Sequence, residues 1–267
     1  MSCTSVSHLS RARHYPPHSH GEYQMIFVSG GEVRLTCVGQ SWHVRAPAIM
    51  LLGNLETHSF SRITEEYDRY SVTIAPQAAR GVIDEQLLRV FLPHGEDRCP
   101  VLSLDDRAAS EMRVLFTALD EEAAQSDFPD ASDALVQTIL LRLYRHAPEI
   151  FPPRSESDSL TDQVRRALEN DLEEKLPLSA LGERFHISVY HLERLFRART
   201  GYSIGRYRLL CRIAAARELL LTTDLSVGEI AARVGVGDMS NFSRYFKRET
   251  GYAPQQYRRT HRAAQPR

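Results

Sequence analysis

Two stretches fifty positions apart carry the same device: LFRARTGYSIGRYR over 195–208 and YFKRETGYAPQQYR over 245–258. Phe196 matches Phe246, Thr200 matches Thr250, Gly201-Tyr202 matches Gly251-Tyr252, and Tyr207-Arg208 matches Tyr257-Arg258. Such a repeat narrows the fold, because each copy must build the same local unit and bury the same face. The flanking pattern is helical. LSALGERF (178–185) and VYHLERLFRART (189–200) are separated by His186-Ile187-Ser188, with Ser188 as N-cap and Gly201 as a stop signal. VGEIAARV (227–234), the turn Gly235-Val236-Gly237, the N-cap Asp238 and MSNFSRYFKRET (239–250) repeat that order, with a turn one residue longer. Short helix, tight turn, second helix: the pattern predicts two helix-turn-helix units, at about 178–200 and 227–250.

In each second helix one stripe is apolar: Leu192, Leu195 and Phe196, then Phe242, Tyr245 and Phe246. The opposite faces carry Val189, Tyr190, Glu193, Arg194 and Arg197, then Met239, Ser240, Asn241, Ser243, Arg244 and Lys247. All but Val189 are the candidate DNA contacts, since the second helix of such a unit lies in the major groove. Arg194 and Arg244 occupy equivalent places. An arginine there can pair bidentately with guanine O6 and N7, worth ~1–3 kcal/mol of base discrimination. The helix expected between the units, about 205–221, would be ~25 Å long. With its loops it can hold two recognition helices about one DNA turn, ~34 Å, apart.

Charge points the same way. Residues 159–267 hold 19 Lys+Arg against 12 Asp+Glu, a net of +7, whereas residues 1–158 hold 14 against 22, a net of −8. Only the C-terminal part suits a polyanion. Its positive charge is nearly all arginine, which fits phosphate recognition or a genome's codon preference. FPPRSESDSL (151–160) reads as a linker between a domain at 1–150 and one at 161–262. A first helix of the C-terminal domain is expected at Leu160–Glu174.

Before the linker, EYQMIFVSGGEVRLTCV reads as two strands around a Gly-Gly turn, and SWHVRAPAIMLL and DRYSVTI extend the β pattern. From about 103 the period becomes helical, with Met112, Leu115, Phe116, Leu119 and Ala123 on one face and Leu135, Ile139 and Leu143 on another. The fold class is therefore α+β: a small N-terminal β-barrel with two trailing helices, then an all-α domain with two helix-turn-helix units. The start lacks an apolar stretch of the secretory kind, and no run approaches the roughly 20 apolar residues of a membrane span. Scattered Cys3, Cys37, Cys99 and Cys211 show no zinc-site or redox spacing, which fits reduced thiols in a cytoplasm.

The run LGERFHISVYHLERLFRARTGYSIGRYR…RIAAARELLLTTDLSVGEIAARVGVGDMSNFSRYFKRETGYAPQQYR resembles the AraC/XylS family of bacterial transcription regulators over about 100 residues. The resemblance implies a seven-helix DNA-binding domain, sequence-specific promoter binding, and activation through contact with RNA polymerase. Two positions depart from the family pattern: Gly182, where Ala is usual, and Val236, where Phe is usual. Both lose packing volume or helix propensity.

The stretch HYPPHSHGEYQMIFVSGGEV…ETHSF is similar to the cupin-like sensor barrel of many such regulators. Strand alternation places His18, His20, Glu22 and Gln24 on one face, with His58 joining from a later strand. Metal-binding cupins carry glutamate where this chain has Gln24. A neutral amide is the poorer ligand, so His18, His20, Gln24 and His58 are expected to hold a small polar effector. A metal at His18, His20 and His58 is the alternative, as is a merely solvated polar mouth.

The expected function is thus an effector-responsive transcription regulator, not an enzyme, with no cofactor. Its expected partners are double-stranded promoter DNA, RNA polymerase, a small-molecule effector and a second copy of the chain, docked through the helix near 103–124 unless that helix packs on its own barrel. A cupin metalloenzyme fused to a DNA-binding domain is the alternative. A methyl-accepting DNA-repair regulator ranks last, because Cys3, Cys37 and Cys99 do not cluster in sequence.

Overall fold

The computed structural model describes residues 4–11, 15–37, 39–92, 99–125, 128–152, 156–170, 172 and 177–262. Cys3 lies outside them. The chain divides into two compact units, Met1–Pro153 and Arg154–Arg267.

The first unit is an antiparallel sheet backed by helices. Its strands are β1 (Thr4–Arg11), β2 (Tyr15–His18), β3 (Tyr23–Cys37), β4 (Gln40–Arg45), β5 (Ala48–Leu52), β6 (His58–Ile74) and β7 (Val101–Ser103). They run in the order β1-β6-β3-β5-β7, with β2 paired to β6 and β4 to β3. The central strands are apolar on both faces because both faces are covered. Met25, Phe27, Ile49, Leu51, Val72 and Ile74 pack on the helices. Ile26, Val28, Val33, Leu35, Met50, Leu52 and Phe60 form a second core on the other face.

The Gly-Gly turn expected inside 22–37 is not a hairpin. β3 runs unbroken through Gly30 and Gly31, pairing with β6 on both sides of two register shifts. Gly31 takes a left-handed φ of 80°, and any Cβ there would strike the Glu66 carbonyl oxygen. The pair therefore bends one long strand. The hairpin closes later, where Cys37 pairs with Gln40 and Gly39 has φ 82°.

Two short helices, α1 (Pro76–Ala79) and α2 (Glu85–Leu88), precede the expected pair, α3 (Asp106–Ala123) and α4 (Pro129–His146). Met112, Phe116 and Leu119 of α3 are buried in the sheet's own core, with Leu115 packed against it. The stripe expected to dock a second copy is thus consumed within the chain.

The second unit is helical throughout its described residues: α5 (Glu156–Asn170), α6 (Leu178–Arg184), α7 (Val189–Thr200), α8 (Ile204–Thr222), α9 (Val227–Arg233), α10 (Met239–Thr250) and α11 (Pro254–Arg262). The helix α5 begins inside the stretch read as a linker and ends at Asn170, four residues earlier than expected at each end.

Candidate functional site

The repeated residues build the scaffold of the two helix-turn-helix units. Thr200 Oγ1 donates to the Phe196 carbonyl (2.7 Å) and accepts from the Tyr202 N–H (3.2 Å). Thr250 does the same with Phe246 (2.8 Å) and Tyr252 (3.2 Å). Gly201 and Gly251 follow with φ 74° and 78°, the left-handed C-cap that only glycine enters without cost. Tyr207 and Tyr257 then stack edge-on against Phe196 and Phe246, at 5.3 and 5.4 Å. Thr-Gly-Tyr thus ends each recognition helix, and the later tyrosine locks it from below.

The tyrosines extend the repeat beyond the matched letters. Burial first of all pushes the Tyr207 hydroxyl pKa well up, so it stays protonated. It donates to Glu169 Oε1 (2.7 Å) and accepts from Arg165 Nε (3.2 Å), both on α5. Tyr257 accepts from Arg217 Nε (3.0 Å) on α8. The helix α8 therefore serves the second unit as α5 serves the first. Sequence reading missed this, although the recurring tyrosine was its available signal. Arg258, also repeated, donates from Nε to the Leu220 carbonyl (3.1 Å) and from Nη2 to Leu225. It ties the chain between α8 and α9.

The turns differ in a way the sequence indicates. Ile187 N–H reaches the Gly182 carbonyl and Val236 N–H the Ala231 carbonyl, each at 2.9 Å. His186 (φ 53°) occupies the left-handed place that Gly235 (φ 71°) takes in the second unit. Gly237 is the extra residue before the N-cap. In the shorter first turn, a Cβ at Gly182 would come 2.8 Å from the Ile187 carbonyl oxygen. Gly182 is therefore required for this turn and is not a packing loss.

On these scaffolds α7 and α10 present matching faces. Leu192, Phe196, Phe242 and Phe246 are buried, while Arg194, Arg197, Arg244 and Lys247 are exposed, as are Tyr190, Met239, Ser240 and Asn241. Tyr190 is 81% exposed on that face. Arg244 Nη2 donates to Asn241 Oδ1 (2.8 Å), and its guanidinium lies 5.4 Å from the Tyr245 ring centre. Ser243 is half-buried. Glu193 departs from its expected role: its Oε2 accepts the Ile204 N–H (3.2 Å) and satisfies the start of α8. A further carboxylate, Glu249, takes both arms of Arg206 at 2.8 and 2.6 Å, joining the first turn of α8 to the last turn of α10.

In the first unit of the chain, His18, His20 and His58 come together. They do not do so by alternation along one strand, because residues 19–22 form a bend between β2 and β3. His18 is the register partner of His58 across β2 and β6. Their rings are 4.4 Å apart, and the His20 ring lies 5.1 Å from His58. One ring nitrogen from each histidine lies within 4.8 Å of the others. Gln24 Oε1 is 3.4 Å from His20 Nε2, and its amide nitrogen donates to Ser71 Oγ at 3.0 Å. Glu22 is 3.4 Å from His20 through its carboxylate. The loop beneath is tightly held: buried Glu56 accepts the Gly53 N–H at 2.6 Å, and the Leu55 N–H donates to the His20 carbonyl at 2.7 Å.

Residues 7–140 match the family description "AraC-like ligand binding domain", and residues 181–260 match "Helix-turn-helix domain". The chain belongs to the AraC family of transcription regulators. Among AraC-family relatives, it is 24% identical to the HTH-type transcriptional activator RhaS of Salmonella arizonae, over 91% of this chain and 87% of that protein. It is 30% identical to the HTH-type transcriptional activator RhaR of an Enterobacter species, over 62% of this chain and 60% of that protein. Its fold resembles that of ToxT from Vibrio cholerae, with a TM-score of 0.65, 15% identity, and coverage of 96% of this chain and 97% of that one. No helix among the described residues is long and apolar enough to cross a membrane.

Proposed function

We propose that this chain is a cytoplasmic, effector-responsive transcriptional activator in which α7 and α10 read two successive major grooves of promoter DNA. The observation that carries this is the pair of matching exposed faces, with Arg194 and Arg244 at equivalent places on matching scaffolds. The 19 residues of α8 give a spacer ~28 Å long, which suits sites about one DNA turn, ~34 Å, apart. The activator names of RhaS and RhaR support activation over repression, and hence contact with RNA polymerase. Residues 161–262 are the DNA-binding domain. Residues 1–150 bind the effector around His18, His20, Gln24 and His58, and join two copies of the chain through a surface other than the buried α3 stripe.

Two measurements test this reading. Full-length protein is expected to bind operator DNA with an affinity that falls steeply with salt, each neutralised phosphate adding about −0.9 to the log–log slope. A flat salt dependence overturns it. His20→Ala and His58→Ala are expected to lose the transcriptional response while keeping operator binding. An unchanged response in both removes the effector assignment.

A further inference from the structure

We propose that the histidine cluster binds a divalent transition-metal ion of the zinc class, through one nitrogen each from His18, His20 and His58. This rests on the reading of the cluster as the effector site and gives that site its ligand chemistry, in place of the small polar effector expected from sequence.

The tautomers are the first reason. A carbonyl oxygen can only accept, so the nitrogen facing it must carry the proton. His20 Nδ1 lies 3.0 Å from the Glu22 carbonyl, and His58 Nδ1 lies 2.9 Å from the Glu56 carbonyl. His58 is therefore held with Nδ1–H and an Nε2 lone pair, and in His20 the shorter contact, through Nδ1, favours the same tautomer over the 3.4 Å contact of its Nε2 with Gln24 Oε1. A metal-binding histidine is oriented in this way: the far nitrogen is held by a carbonyl or carboxylate, which sets the ring plane and raises ligand basicity. The Glu22 carboxylate adds a second acceptor 3.4 Å from His20 Nδ1.

The second reason is how firmly the ligands are set. His18 and His58 face each other in register on paired strands, β2 and β6. His20 is anchored through its carbonyl by Leu55, which is buried and takes a positive φ of 67°. A leucine in that conformation is strained, and such strain persists where surrounding structure over-determines it, often at ligand sites. Gly53 permits the loop, since a Cβ there would meet the Phe91 carbonyl at 2.6 Å and Glu56 Cδ at 3.0 Å. A buried carboxylate, a strained leucine and an obligatory glycine thus hold two of the three rings.

The third reason is reach. A tetrahedral ion about 2.0–2.1 Å from each nitrogen separates the nitrogens by roughly 3.4 Å. Nitrogens already within 4.8 Å close to that spacing by small side-chain rotations. Three neutral imidazoles leave the ion its full charge and an open position. The Gln24 amide oxygen, 3.4 Å from His20 Nε2, is the neighbouring oxygen donor.

The test is cobalt(II) titration of chelator-treated full-length protein, followed by visible absorption, alongside a reporter assay of each variant. One equivalent of cobalt per chain is expected to give the intense bands of a low-coordinate nitrogen site, displaced by zinc. His18→Ala and His20→Ala are expected to abolish the bands, and His43→Ala, at an exposed histidine on β4, to retain them. His18 is only half-buried, so its variant tests the site even where buried His58→Ala fails to fold. Absence of a one-equivalent spectrum in the parent protein overturns the metal proposal, as does its persistence in both His18→Ala and His20→Ala. The reporter separates the two readings. Variants that lose the response while the parent binds no cobalt leave the effector site standing without metal. Cobalt bound stoichiometrically with an unchanged response keeps the metal and removes the effector role.

Discussion

In the first helix-turn-helix unit, the half-buried Glu193 accepts the Ile204 N–H. Fifty positions on, Ser243 carries no charge, and Arg244 is braced by Asn241 and the Tyr245 ring. The Asp238 N-cap meets Asn241 N–H at 2.6 Å, closer than Ser188 meets His191 N–H at 3.3 Å. The α9 helix opens with a capping box of Ser226 and Glu229, whereas α6 opens after Pro177 with no side-chain cap. The copies share their support, the Thr-Gly-Tyr ends and the buried Phe196 and Phe246, together with exposed basic residues at equivalent places, Arg194 with Arg244 and Arg197 with Lys247. What they do not share lies at the turn and on the surface. The repeat is thus chiefly a repeat of support, and the faces it supports are free to differ. The arginine of the second face is the one held by neighbours, Asn241 and the Tyr245 ring.

The largest effect should come from the shared interior. Phe196→Ala and Phe246→Ala each remove a fully buried ring and are expected to cost about 3–5 kcal/mol. Denaturant unfolding should show closely similar losses. A much smaller loss in one would break the equivalence of the scaffolds.

Next comes the ion pair that joins α8 to α10. Burial works against the charge of Glu249, but hydrogen bonds from Arg206 and Arg248 hold its carboxyl below the ordinary value of 4.5. A lowered folded pKa adds stability above the unfolded value, and that stability is lost as pH falls through the folded one. Allowing for the partial exposure of Arg206, Glu249→Gln should cost about 1–2 kcal/mol near neutral pH. Its deficit against the parent should shrink as pH drops below 4.5. A deficit independent of pH in that range would mean the side chain acts by packing alone.

The turns should give responses of opposite sign. Gly182→Ala is expected to destabilise by about 1–3 kcal/mol, because the Ile187 carbonyl must give way. His186→Gly relieves a left-handed residue and should stabilise by up to about 1 kcal/mol, whereas Gly235→Ala should destabilise. Thermal unfolding of the three variants checks the signs.

Much of this was legible before any coordinates. Helical periodicity and the Thr-Gly-Tyr repeat located both recognition helices and their exposed arginines, because those signals are local. Glu193 was placed on the reading face because its partner, Ile204, lies beyond the Gly201 turn, where periodicity carries no information. Gly30-Gly31 was read as a hairpin because two glycines serve a turn and a strand bend equally well. Only the Glu66 carbonyl on β6 decides between them. The α3 stripe was offered to a partner, yet one amphipathic face looks the same whether it covers its own sheet or another copy. His18, His20 and His58 were grouped correctly for a partly wrong reason. Register and a bend unite them, and the backbone carbonyls that orient two of their rings leave no trace in the residue types.

The central claim is that one chain reads DNA at two places. The direct measurement is base-interference footprinting on a bound operator with the parent protein, Arg194→Ala and Arg244→Ala. The two-reader assignment predicts two contacted blocks about one helical turn apart, with each variant losing guanine contacts in a different block at about 1–3 kcal/mol. The loss should be greater for Arg244, which Asn241 and Tyr245 hold in place. A single contacted block, or two variants that lose affinity equally on every sequence, would contradict it.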